Sequence, residues 1–185
     1  KKICNFLIFN TLQTMKIILM GYMGVGKTSI AKKMADTLNI LPYDLDKIIE
    51  DYEGNSIQNI FKNKGEVYFR RVEALQLENF LNSTSSFILS IGGGTPCYGN
   101  NLKRILGDNI TSIYLKMSVD NLVHRLKKNK FNRPLLNNLS DEELSEFVAK
   151  HLFERNFFYN KATYTINVDN KSKKEIVTGI INLIG

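Results

Sequence analysis

Tryptophan is absent from this chain, proline occurs three times and cysteine twice, and each scarcity excludes something. So few prolines, without a glycine-containing repeat, exclude collagen-like or polyproline architecture and argue against a disordered, low-complexity chain. Cys4 and Cys97 stand far apart and supply neither the paired spacing of a zinc site nor a disulfide framework, which fits a reducing, cytoplasmic setting. No run of about 18 apolar residues is present, so no membrane-spanning helix and no membrane partner are expected. Lys1-Lys2 followed by apolar residues 3–9 imitates a secretion signal only faintly, because the apolar run is short and no small-residue cleavage site follows.

The composition, 43% hydrophobic and 23% charged over 185 residues, is that of one globular domain. A formal charge of +7 attracts phosphate backbones in principle. Lys1 and Lys2 fall in residues 1–14, however, which read as a non-core leader before a natural start at Met15, and without them the charge is +5. No nucleic-acid partner and a monomeric state are expected. The core domain then runs over 15–185.

The most informative segment is Gly21-Tyr22-Met23-Gly24-Val25-Gly26-Lys27-Thr28, which fits G-x-x-x-x-G-K-[ST] between a strand-like and a helix-like run. Its glycines let successive N–H groups curl around a polyphosphate, and the following helix presents its positive end. Gly24, Val25, Gly26, Lys27, Thr28 and Ser29 are therefore the expected ATP-binding residues. Lys27 would reach the β- and γ-phosphates, and the Thr28 hydroxyl suits direct ligation of Mg²⁺.

Residues 16–20, 87–91 and 111–115 are short apolar runs of the kind buried on both faces of a parallel sheet, with further strands at 41–44 and 164–168. Between them lie helical patterns: Ile30, Ala31, Met34, Ala35 and Leu38; a helix from Leu45 to near Gly54; and a short one capped by Ser56 through Phe61. Tyr68, Val72 and Leu75 mark a longer helix after Gly65. Ser118, Ser140 and Ser172 read as N-caps, the last two as capping boxes. This alternation predicts a three-layer α/β/α domain on a five-stranded parallel sheet. Residues 127–139, polar and interrupted by Pro134, are expected to form a mobile lid.

Asp44 and Asp46 close the second strand, on the sheet edge where ligands bind in such folds. Asp44 fits the outer shell of a metal, although capping of the next helix would explain it as well. Asp46 fits a base that orients an acceptor hydroxyl or takes its proton. Gly92, Gly93 and Gly94 end a buried strand and leave room for a ligand against the main chain; a plain turn is the alternative. Arg70, with Glu73 placed to hold it by an i,i+3 pair, Arg133 before Pro134, and Arg155 come from three separate segments. His124, His151 and Cys97 read as surface or packing residues.

The phosphate loop, Asp44-x-Asp46 with Ile49-Glu50, Ile60-Phe61, Gly65-Glu66, Phe69-Arg70, Gly92-Gly93-Gly94, Arg133-Pro134-Leu135-Leu136 and Arg155 follow one another as in shikimate kinases. The chain resembles that family from about residue 15 to 185. The resemblance implies a nucleoside monophosphate kinase-like fold and ATP-dependent phosphorylation of the shikimate 3-hydroxyl, in the route to chorismate and aromatic amino acids. It also implies shikimate and ATP as partners and Mg²⁺ as cofactor. Carried over by position, Lys27, Asp46 and Arg133 would be catalytic. Asp46, Arg70, Gly92, Gly93, Gly94 and Arg155 would bind shikimate, with both arginines on its carboxylate, while 45–75 forms its binding segment. Arg133 would approach the γ-phosphate from the lid. The family's adenine-side basic residues find their nearest counterparts in Arg125, one position from Leu126, and in Lys171 or Lys173. A gluconate or nucleoside monophosphate kinase would share the phosphate loop but not this set. A non-catalytic nucleic-acid-binding module would not need Lys27, Thr28, Asp46 and three arginines together.

Overall fold

The computed structural model describes residues 14–128, 136 and 139–185. Most of the expected leader, and Arg133 with most of the expected lid, lie outside the described residues. Five strands, β1 (Lys16–Met20), β2 (Pro42–Asp44), β3 (Phe87–Ser90), β4 (Ile110–Lys116) and β5 (Tyr164–Asn167), form one sheet in the order β2-β3-β1-β4-β5. Every pairing is parallel; Ile17, for example, lies between Ile88 and Thr111.

The apolar runs behave as buried strands must: Ile17, Ile18, Leu19 and Met20 are fully buried, as are Phe87, Ile88 and Leu89. β1 occupies the centre of the sheet. β3 lies next to it, between β1 and β2.

Seven helices are described: α1 (Lys27–Leu38), α2 (Leu45–Glu53), α3 (Ile57–Ser83), α4 (Asn101–Ile105), α5 (Val119–Lys127), α6 (Asp141–Tyr159) and α7 (Lys173–Ile184). Their starts follow local chemistry. The side chains of Ser56, Ser118, Ser140 and Ser172 each accept a bond from the backbone N–H three residues on, with full capping boxes at Ser140 and Ser172. The two helices expected around Gly65 abut at a kink at that residue, and the first reaches Lys64 rather than Phe61. Leu75, expected on the apolar face, is exposed; the long helix buries Phe69, Val72, Glu73, Gln76, Leu77 and Phe80 instead. Two polar residues on that face, Glu73 and Gln76, disguise its periodicity.

Parallel strands all end on the same side of the sheet. The loop after β1, the turn from β2 into α2 and the glycines after β3 therefore converge on one edge.

Candidate active site

The loop 21–26 carries the chain from β1 into α1 with Gly24 at φ 83° and Gly26 at φ 103°. No side chain caps α1 and no acidic residue stands in its first turn, so the helix offers its free N–H groups and positive end to the cleft. Lys27 Nζ donates to the carbonyls of Gly21 (2.8 Å) and Tyr22 (3.1 Å), folded along its own loop. Ser29 Oγ donates to Gly26 O at 3.2 Å. A cavity of ≈ 420 Å³ opens here, lined by Gly26, Lys27, Thr28, Asp44, Asp46 and Gly93 among others.

Arg125 braces the loop from behind, its Nη1 donating to Val25 O at 3.0 Å, while buried Leu126 packs against Gly24. Arg125 therefore lies beside the phosphate loop without lining its cavity. Lys171 is exposed and lines neither that cavity nor the next.

Asp44 serves two ends at once. Its Oδ1 caps α2 by accepting from Asp46 N at 3.1 Å, and its Oδ2 accepts from Thr28 Oγ1 at 2.6 Å. Capping thus coexists with a contact to the Thr28 hydroxyl. Ser90, in register with Asp44 on β3, places its hydroxyl 3.4 Å from Thr28 Oγ1. Hydroxyl and carboxylate oxygens at the cleft head are donors of the hardness that Mg²⁺ prefers. Among the described residues no group of three or more His, Cys, Asp or Glu could hold a metal by itself. A cation here would draw its remaining ligands from phosphate and water.

Asp46 opens onto the cleft, yet protein surrounds it on most sides. Removal from water, then the neighbouring Asp44 carboxylate, push its pKa up from 3.8 to about 6, against the lowering pull of Lys27. Because the side chain remains exposed to the open cleft, the shift comes from the ring of cleft walls and not from enclosure. Its Oδ1 lies beside Gly92, where an added Cβ would sit 3.3 Å away.

A second cavity, of ≈ 430 Å³, shares Met23, Asp46, Gly92 and Gly93 with the first and extends to Phe61, Phe69, Arg70 and Arg155. Arg70 is held from several sides. Its Nη1 donates to Glu73 Oε2 at 2.9 Å, as the i,i+3 spacing anticipates, and its Nε and Nη2 donate to Glu66 Oε1 at 3.3 and 3.2 Å. Glu73 is itself buried, and its other oxygen accepts from the buried Thr95 hydroxyl at 2.7 Å. Arg155, from α6, lies over the Tyr22 ring at 5.6 Å and has no carboxylate in ion-pair range among the described residues. The cavity therefore presents an anion with two guanidinium groups at one end and with Asp46 toward the phosphate loop.

Of the residues singled out in the sequence, the structure brings together Lys27, Thr28, Asp44, Asp46, Arg70, Gly92, Gly93, Gly94 and Arg155. Sequence reasoning misses Glu66's grip on Arg70, although its i,i+4 spacing carried the signal. It also misses Thr95, Tyr98 and Tyr159, which reach the site from separate segments and leave no local trace. The Tyr159 phenol donates to Gly93 O at 2.5 Å, fixing the glycine loop, and burial raises its pKa well above that of a free phenol. Cys97 is half-buried, and removal from water pushes its thiol pKa up, so it is no ready nucleophile.

A family model for shikimate kinase matches residues 23–185. A shikimate kinase of Flavobacterium psychrophilum is 50% identical over 169 residues, covering 91% of this chain and 98% of that protein. Among solved structures, shikimate kinase from Bacteroides thetaiotaomicron superimposes with a TM-score of 0.86 at 32% identity, covering 92% of this chain and 98% of that one. Shikimate kinase from Acinetobacter baumannii, solved in complex with shikimate, gives 0.84 at 30% identity, covering 93% and 94%.

Proposed function

The chain belongs to the shikimate kinase family, and on that premise we propose how its residues transfer the γ-phosphate of ATP to the 3-hydroxyl of shikimate, giving shikimate 3-phosphate and ADP. The activity serves chorismate and aromatic amino acid biosynthesis. The observation that carries the division of labour is the meeting of two cavities at Asp46 and Gly92-Gly93, one floored by the phosphate loop and the other ending in Arg70 and Arg155.

The loop N–H groups from Gly24 to Thr28, with Ser29, cradle the ATP phosphates, and Lys27 swings from the loop carbonyls onto the transferring phosphoryl group. Thr28 would hold Mg²⁺ directly, with Asp44 behind it in the outer shell; bound there, the ion supplies charge neutralisation for the phosphates. Arg70 and Arg155 take the shikimate carboxylate, a task that suits two rigid forks in a half-buried pocket. Gly92, Gly93 and Gly94 let the ring lie against the main chain. Asp46, between acceptor and phosphate loop, orients the 3-hydroxyl and accepts its proton as the oxygen attacks phosphorus.

A lid over 127–139 that would exclude water rests on its polar, Pro134-interrupted sequence, and the role of Arg133 on it carries over from the family resemblance; Arg125 and Lys171 remain the proposed adenine-side residues. Arg125 adds support for the loop through Val25 O. No described helix is long and apolar enough to cross a membrane; we place the enzyme in the cytoplasm as a monomer.

Asp46→Asn tests the assignment. The amide keeps the shape and the hydrogen bond but cannot take the proton, so kcat should fall by about 10²- to 10⁴-fold. The Michaelis constants for ATP and shikimate should change far less. A kcat within a few-fold of the parent enzyme would remove Asp46 from the chemical step.

A further inference from the structure

Arg70 has five N–H donors, and three are engaged: Nε and one on Nη2 by Glu66, and one on Nη1 by Glu73. Each terminal nitrogen keeps a second hydrogen, and such charged donors suit a carboxylate. Gly94 packs beside these nitrogens: a Cβ there would stand 2.8 Å from Nη2 and 3.0 Å from Nη1, so a side chain at this position would displace the guanidinium.

Glu66 is half-exposed, and an exposed carboxylate on a helix does not stay in one rotamer unaided. Tyr98 supplies the constraint. Its hydroxyl donates at 2.9 Å to Glu66 Oε1, the same oxygen that receives Nε and Nη2 of Arg70. Its ring lies 4.0 Å from the guanidinium carbon, within range of a cation–π contact. Tyr98 does not line the acceptor cavity. It follows a short turn, Thr95–Cys97, that contains buried Pro96 and is tied back by Asn101 Nδ2 donating to Thr95 O at 3.0 Å. The ring is thus mounted on a fixed backbone and holds Arg70 twice, through its π-face and through Glu66.

We propose that Tyr98 is a positioning residue for acceptor recognition, clamping Arg70 so that its remaining N–H donors stay presented to the shikimate carboxylate in the acceptor cavity. The inference rests on the assignment of Arg70 to that carboxylate. Without the clamp the guanidinium would sample other rotamers, and acceptor affinity would fall while the transfer step kept its machinery.

The test is a double-mutant cycle read by steady-state kinetics and by calorimetric titration of shikimate, using Tyr98→Leu, Tyr98→Phe, Arg70→Ala and the Arg70→Ala/Tyr98→Leu pair. Tyr98→Leu should raise the shikimate KM and Kd by about three- to thirty-fold, with kcat and the ATP KM nearly unchanged. Tyr98→Phe, which keeps the ring and loses the hydroxyl, should fall between the two and decides the matter if the leucine variant does not fold. In the Arg70→Ala background, Tyr98→Leu should add nothing. An unchanged shikimate KM in Tyr98→Leu and Tyr98→Phe, or an equal penalty with and without Arg70, would overturn the proposal while leaving Arg70's role intact. An Arg70→Ala variant that binds shikimate normally would instead remove the premise, and the proposal with it.

Discussion

Asp46 carries the sharpest electrostatic prediction in the molecule. In its proposed role it must be ionised to accept a proton, and desolvation by the cleft walls, then the Asp44 carboxylate, raise its pKa to about 6. In kcat/KM for shikimate, with Mg²⁺ in excess so that the nucleotide is uniformly complexed, activity should therefore decline on the acid side with a midpoint near 6, about tenfold per pH unit below it. A midpoint at the unperturbed 3.8 would show that the cleft does not desolvate this carboxylate. Sequence reasoning found Asp46 because it stands at the C-terminal end of a strand, on the sheet edge where ligands bind in such folds. It could not find the pKa shift, which depends on how closely the walls of the cleft approach. Nor could it choose between capping and a place beside Thr28 for Asp44, because the two oxygens of one carboxylate serve Asp46 N and Thr28 separately.

At the scale of elements, the kink in α3 governs the acceptor side. Gly65 sits at φ 79° and ψ 173°, a conformation that strains residues with a Cβ, and it turns the chain just before the helix face shared by Glu66, Arg70 and Glu73, of which Arg70 and Glu73 line the cavity. Nothing lies within 4 Å of where its Cβ would be, so Gly65→Ala isolates the backbone effect. The substitution should cost about 1 to 3 kcal/mol, read as a lower midpoint in urea unfolding. It should also raise the shikimate KM, because Arg70 begins less than two turns beyond the kink. Wild-type stability would mean that the chain takes up a continuous helix through this point without strain. The helix starts were legible in the sequence because serine caps and their Glu partners act within four residues. The apolar face of α3 was only partly legible: Glu73 and Gln76 are polar yet buried, one committed to Arg70 and Thr95, and Leu75 is exposed.

For the whole molecule, the alternation of apolar runs with helical patterns specified the parallel sheet. The strand order put β1 at the centre, so the phosphate loop leaves from the central strand, and β3 delivers its three glycines alongside. Contacts between distant segments, such as Tyr98 with Glu66 or Tyr159 with Gly93, arise only when the sheet gathers its loops on one edge, and no local pattern announces them. Within the cleft Lys27, Arg70 and Arg155 stand among the carboxylates Asp44, Asp46, Glu50 and Glu73, so local placement and not the overall basic charge of +7 decides where an anion is received.

The central claim is that the two joined cavities align ATP with shikimate and with no other common acceptor. It is tested most directly by following ADP release with ATP and Mg²⁺ in parallel reactions containing shikimate, gluconate, nucleoside monophosphates or no acceptor, with the product identified by mass spectrometry and ³¹P NMR. ADP release that requires shikimate, with shikimate 3-phosphate as the product, is the predicted result. Turnover with gluconate or a nucleotide in its place, or ADP release indifferent to any acceptor, would contradict it.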